Sequence, residues 1–416
     1  MLPNTVRSSG PTGQYIKHIV IVVQENRSFD NLFSGFPGAD SATSGTMHNG
    51  KVIPLHWVNY DGVDIPHLWQ IAMGDWDNGK MDGFDLSNRN KPSLPATFPY
   101  ARLDRKLVAP YWDMASTYVL ADHMFPTEFG GSFTAHMNLI AGTSQIRNGV
   151  SEVDIPQRPP WGCDAPAGTP TSLVNAQRQV SYWQGPFPCF TQFTTMADTL
   201  DASGVSWKYY APNVITGWGG AEWSAFDAIS NVRNGPDWQK NVISPETTIL
   251  TDIPTGKLPS VTWIVPAVPD SDHGASKSML GPSWVSAIVN TIGKSQYWDS
   301  TAIVVLWDDW GGWYDNVPPP QLDYVGLGIR VPCIIISPYA KAGYVSHTQY
   351  EFGSVLKFVE QTFGLSSLGH TDDRANSLVD SFDFTQAPRA FKTIPAPYPP
   401  STFMLQAPSS DPPDDN

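Results

Sequence analysis

The sequence predicts an α/β fold, a mainly parallel sheet sandwiched between helices. Three observations carry this reading. Ile19 to Val23 and Thr301 to Leu306 are short, unbroken apolar runs rich in β-branched residues, the pattern of strands buried on both faces. Strand-like and helix-like segments alternate along the chain, as crossover connections require. Polar clusters follow the strands directly, at the edge where open α/β sheets bind ligands.

Residues 1–15 are polar and read as a loose arm. The first strand ends in Glu25-Asn26-Arg27, which are either ordinary polar residues leaving a strand or site residues. Phe29 to Phe33 reads as a short helix, and residues 38–66 as loops and short strands. The second apolar run leads into Trp307-Asp308-Asp309-Trp310-Gly311-Gly312. Adjacent carboxylates repel, and a bound cation is one good reason to keep them together. Glu25, Asn26, Asp308 and Asp309 offer only oxygen ligands, which suits one hard divalent ion. Gly311-Gly312 lets the backbone turn sharply beside it.

Pro110 to Asp122 reads as one helix. After it, Gly130-Gly131 can bring backbone close to a ligand, and Ser132 falls just before or in the first turn of a helix. Free N–H groups and the dipole there bind phosphate and favour a serine alkoxide. The competing reading makes Ser132 or Thr134 a helix N-cap. Residues 145–192 read as an irregular surface excursion beside the site. They contain Cys163 and Cys189, either a bridge worth roughly 3 kcal/mol or two free thiols.

Thr194 to Ala202 predicts a helix, Val205 to Tyr210 a strand, and Val261 to Pro266 another strand that runs into Ser271-Asp272-His273-Gly274. Pro282 to Ile292 is an amphipathic helix, opened by proline and closed by Gly293. Val331 to Ile336 is a strand holding Cys333. His347 precedes a helix over about 352–363. Residues 1–393 read as a single catalytic domain, and the Pro- and Ser-rich residues 394–416 as a poorly ordered tail.

The formal net charge of −14 argues against nucleic acid and against electrostatic attachment to anionic membranes. No apolar run approaches the length of a transmembrane helix. The first residues have no signal-peptide core, so the chain is either cytosolic or secreted or periplasmic with a signal removed. The 16 tryptophans either pack the core and loops or line a choline cage through cation–π contacts.

VVQENRSFDNLF, the Gly-Gly-Ser-Phe-x-x-His segment, SDHG and WDDWGGWYDNVPPP resemble the bacterial phosphoesterase family of phospholipase C and certain acid phosphatases, related to the alkaline phosphatase superfamily. The resemblance covers about residues 16–385. It implies an alkaline-phosphatase-like fold and a divalent ion (Ca, Mg, Mn or Zn) on Glu25, Asn26, Asp308 and Asp309. It also implies a nucleophile at Ser132, with His67, His273 and His347 around the phosphoryl group; His136, which stands where plant relatives have arginine, is read as a substrate contact. Asn316 departs from the pattern, standing where many relatives have histidine.

The expected activity is hydrolysis of phosphate esters, as a phospholipase C on phospholipids or an acid phosphatase on monoesters. A catalytically weakened protein that binds phosphate or lipid headgroups is the alternative, resting on Asn316. A sulfatase is excluded because no cysteine lies in a C-x-P-x-R context. The sequence leaves the oligomeric state open.

Overall fold

Gln24 lies beside Trp307 in a parallel strand pair, and that register governs the whole site. The computed structural model describes residues 11–60, 63–90, 93–156, 160–185, 189–213, 223–274, 276 and 278–407. Nine strands form one sheet: β1 (His18–Gln24), β6 (Val119–Phe125), β11 (Trp207–Tyr210), β12 (Val242–Ile243), β13 (Val261–Ile264), β14 (Thr301–Trp307), β15 (Val331–Ile336), β16 (Tyr344–Ser346) and β17 (Tyr350–Glu351). Two short pairs lie outside it, β2 (Ser44–Thr46) with β3 (Val52–Pro54), and β4 (His56–Val58) with β5 (Ala101–Leu103). A separate antiparallel sheet contains β7 (Gln145–Arg147), β8 (Val150–Pro156), β9 (Thr171–Asn175) and β10 (Val180–Ser181).

The main sheet runs β12-β11-β13-β1-β14-β15-β6-β16, with β17 also on β6. Among these described strands, only β15 runs against its neighbours. The sheet is therefore mainly parallel, as expected. Ile19, Val20, Ile21, Val22, Ile303, Val304 and Val305 are fully buried, each worth about 1.5–3 kcal/mol relative to exposure. The carboxyl ends of β13, β1, β14 and β6 share one edge with the start of β15.

The helices that position the site are α1 (Phe29–Phe33), α2 (Trp69–Trp76), α3 (Ala109–Thr117), α4 (Ser132–Ala141) and α5 (Met196–Ala202). The predicted helix over Pro110 to Asp122 stops at Thr117, and the residues from Val119 onward form β6. The break falls just after the polar Ser116-Thr117, and the apolar Tyr118 to Ala121 that follow are buried in the sheet, which decides their conformation.

Residues 145–192 are more regular than expected, because they contain the antiparallel sheet. Asn148-Gly149 sits in the turn between β7 and β8, a hairpin signal in the sequence. Cys163 and Cys189 form a disulfide, and Cys333 is a buried free thiol in β15.

The tail expected from residue 394 is packed as far as it is described. Ile394 is 3% exposed and exchanges backbone bonds with the Asn290 side chain, and Phe403 lies against Trp284. Residues 1–10 of the expected arm and 408–416 of the tail lie outside the described residues.

Candidate active site

Since Gln24 pairs with Trp307, Glu25-Asn26 and Asp308-Asp309 leave the sheet side by side. The Asp308 N–H donates to Gln24 O at 2.9 Å, and the Asn26 N–H returns to Asp308 Oδ1 at 2.8 Å. Asn26 adopts a left-handed φ of 62°. Gly311 closes over this turn at φ 60°, where an added Cβ would meet Asn26 O at 2.1 Å. The two loops therefore approach so closely that only glycine fits.

Asn26 Nδ2 lies 2.8 Å from His67 Nε2, while His67 Nδ1 lies 2.6 Å from Ile65 O. A carbonyl only accepts, so Nδ1 carries the proton and Nε2 accepts from the Asn26 amide. That leaves Asn26 Oδ1 facing away from His67, buried and with no hydrogen bond; Asp308 Oδ2 is buried and unbonded in the same way. Buried oxygens of this kind are costly to leave unpaired. Asp309 is also buried, and burial together with the Asp308 charge pushes its carboxyl well above the ordinary carboxylate range. Unsatisfied oxygens and crowded carboxylates are the features a hard cation would relieve, so the residues present fit a divalent ion.

Ser132 is the first residue of α4, and its N-cap is Gly131 rather than a serine or threonine side chain. Its Oγ donates to Asp309 Oδ2 at 3.3 Å. The N-cap reading of Ser132 therefore fails. The first N–H groups of α4 lack intrahelical acceptors, as in any helix. One turn along, His136 shares the face of Ser132. Its Nε2 donates to Glu25 Oε1 at 3.0 Å and lies 3.9 Å from Asp308 Oδ2. Burial pushes its imidazole down to about 4, against the pull of Asp308. The ligating atoms of Glu25, His136 and Asp308 all lie within 4.8 Å of one another. His136, read from the sequence as a substrate contact, bonds within the acidic cluster.

His273 is fully buried, with its ring 6.0 Å from His67 and 5.8 Å from Trp223. Asp64 completes a second group with these histidines, its ligating atom within 4.8 Å of theirs. Asp272 holds the segment in place. Its carboxylate accepts from Tyr60, Tyr111 and Trp307 at 2.8–3.0 Å, and its carbonyl accepts from Arg27 Nε at 2.7 Å. Arg27 is thus committed to structure, although it stands in the ENR run. Neither Asp64 nor the bracing role of Asp272 was read from the sequence, although Asp272 is the residue before His273.

His347 is not brought into this group. It follows β16, which is separated from β14 by β15 and β6, three strand spacings or roughly 14 Å. Its side chain is 59% exposed, with Nδ1 2.8 Å from Asp122 and its ring 6.4 Å from His123. Asn316 also stands apart. It bonds to Asp40, Asp30 and Arg330, not to Ser132 or its partners.

The pattern of the Phosphoesterase family matches residues 16–366. The chain is 26% identical over 438 residues to Phospholipase C A of Mycobacterium tuberculosis, covering 90% of this chain and 78% of the relative. It is 25% identical over 409 residues to Non-hemolytic phospholipase C of Pseudomonas aeruginosa, covering 84% and 54%. Among solved structures, a protein in the alkaline phosphatase superfamily from Vibrio parahaemolyticus aligns over 91% of this chain and 76% of its own, with 11% identity and a TM-score of 0.43. With the family pattern spanning both site loops, the chain belongs to the phosphoesterase family and is a phosphoric ester hydrolase.

Proposed function

We infer that the chain hydrolyses phosphate esters through Ser132, assisted by a divalent ion held by Glu25, Asn26, Asp308 and Asp309. The observation that carries this reading is the contact between Ser132 Oγ and Asp309 beside the unbonded oxygens of Asn26 and Asp308. Bound there, the ion would lower the pKa of the serine hydroxyl and offset charge on a phosphoryl oxygen.

The other roles belong to the chain. Asp309, ionised as a cation beside it would favour, accepts the Ser132 proton and aims Oγ at phosphorus. The first N–H groups of α4 and the His273 imidazole donate to phosphoryl oxygens. His273 also protonates the departing alcohol. His67 accepts from the Asn26 amide and so fixes the oxygen that would hold the ion, and His136 fixes Glu25. Water then attacks the phosphoserine, passing its proton to His273, and the P–O bond to Ser132 breaks as Oγ takes back the proton held by Asp309, releasing phosphate. His347 has no part in these steps.

The relatives' phospholipase C names make phospholipids the first substrates to test, with soluble monoesters second. The disulfide favours an oxidising compartment, and so a secreted or periplasmic enzyme. The binding-protein alternative loses its support, since Asn316 touches neither Ser132 nor the acidic cluster. Turnover of p-nitrophenyl phosphate and p-nitrophenyl phosphorylcholine, each with and without chelator, tests the reading. Chelator-sensitive turnover of either supports it. No turnover by the folded wild-type chain contradicts it.

A further inference from the structure

Asp154 stands in β8, in the second sheet, yet it reaches the loops of the active site. It is 1% exposed and adopts a left-handed φ of 61°. Its Oδ1 accepts from the Trp69 N–H at 2.7 Å. Trp69 opens α2, whose own N-cap, Leu68, offers no side-chain bond, so Asp154 caps that helix from a distant part of the chain. His67 lies two residues before Trp69.

The same carboxylate borders the turn before Ser132. A Cβ on Gly130 would lie 3.7 Å from both Asp154 N and Oδ1. Gly130 itself has φ 143°. Burial pushes the Asp154 carboxyl up to about 7, while the N–H groups of Trp69 and Gly131 and the His67 imidazole pull the other way. The groups around this carboxylate thus come from the two segments that carry His67 and Ser132.

We propose that Asp154 is a positioning residue, which sets the His67 segment against the Ser132 turn and makes the sheet β7–β10 part of the catalytic apparatus. The proposal rests on Ser132 being the nucleophile. It acts through geometry: a shift of the Ser132 turn relative to the His67–Asn26 pair misaligns attack without removing a group that touches substrate. The left-handed backbone at 154 supports this. A short acceptor there is aimed by the turn of the chain, and aspartate tolerates that conformation better than most residues.

The test uses two substitutions suited to the same backbone. Asp154→Gly removes the carboxylate where glycine is unstrained, and Asp154→Asn keeps an acceptor for the Trp69 N–H. For p-nitrophenyl phosphate, Asp154→Gly is expected to lower kcat about tenfold to a hundredfold, with KM within about threefold and the fold intact. Asp154→Asn is expected to regain most of that loss. A folded Asp154→Gly chain with wild-type kcat overturns the proposal, as does a folded Asp154→Asn chain as slow as Asp154→Gly. If Asp154→Gly does not fold, Asp154→Glu decides: it keeps the carboxyl group but displaces it, so wild-type kcat overturns the proposal and a selective loss of kcat supports it. Ser132→Ala is measured alongside. Full turnover by Ser132→Ala sinks the serine reading itself, a result distinct from failure at Asp154.

Discussion

Ser132 Oγ donates to Asp309 Oδ2 across 3.3 Å, joining the first residue of α4 to the loop that follows β14. Replacing Ser132 by alanine removes one buried hydrogen bond, worth about 1 kcal/mol of stability. If Ser132 is the nucleophile, kcat falls at least about a thousandfold in Ser132→Ala while the melting temperature changes little. Kinetics and thermal melting on one preparation check both halves of this expectation.

Asp308→Asn keeps the shape of its side chain and removes one charge from the acidic cluster. The divalent-ion concentration that restores half of the activity after chelation should rise, by about tenfold or more. Chelation of the wild-type chain should lower its melting temperature, and the added ion should restore it, since a ligand held only by the folded state stabilises it. Melting curves at several ion concentrations measure this independently of turnover.

Gly311→Ala would set a methyl group 2.1 Å from Asn26 O, at a φ of 60° that alanine resists. The expected cost is more than about 1 kcal/mol, because strain and clash add. The same shift moves Asn26, so activity should fall further than stability does. Parallel measurement of kcat and the denaturation midpoint separates the two effects.

Glu128 is buried, and burial pushes its carboxyl up to about 8, opposed by the Ser144 hydroxyl. Its pKa is raised above the unfolded value, so its contribution to stability is full below the unfolded pKa. That contribution is lost as pH rises toward 8, because the unfolded chain ionises first. Glu128→Gln removes the titration and keeps an acceptor for Ser144. The variant should gain stability relative to wild type as pH rises from 5 to 8, by up to about 1.4 kcal/mol for each pH step across that window. Melting temperatures across that range read the sign directly.

The site loops were legible because the strands before them are buried on both faces. Ile19 to Val23 and Thr301 to Leu306 carry no alternation, so the polar residues that follow stand out as strand ends. The place of Ser132 in the first turn of a helix was legible from the glycines before it. His136 had a signal in its spacing of four from Ser132, which puts both on one helix face, but not its partner, because Glu25 is 111 residues away. His347 shows the limit of reading by local context. It follows a strand as His273 does, but the sheet order that separates it from β14 is not written in either segment. The direction of β15 is equally hidden, since a run buried on both faces reads the same either way. Asp154 was invisible because its partners are a backbone N–H and a glycine turn, neither of which leaves a trace in side-chain pattern.

The most direct test of nucleophilic catalysis by Ser132 is to quench the enzyme in acid during turnover of a phosphate ester and map the modified residue by peptide mass spectrometry. One phosphoryl group is expected on the peptide that contains Ser132, absent from Ser132→Ala and from wild type treated with chelator. An actively hydrolysing enzyme with no phosphoryl group at Ser132 under single-turnover quenching, or with the group on another residue, would contradict the serine mechanism.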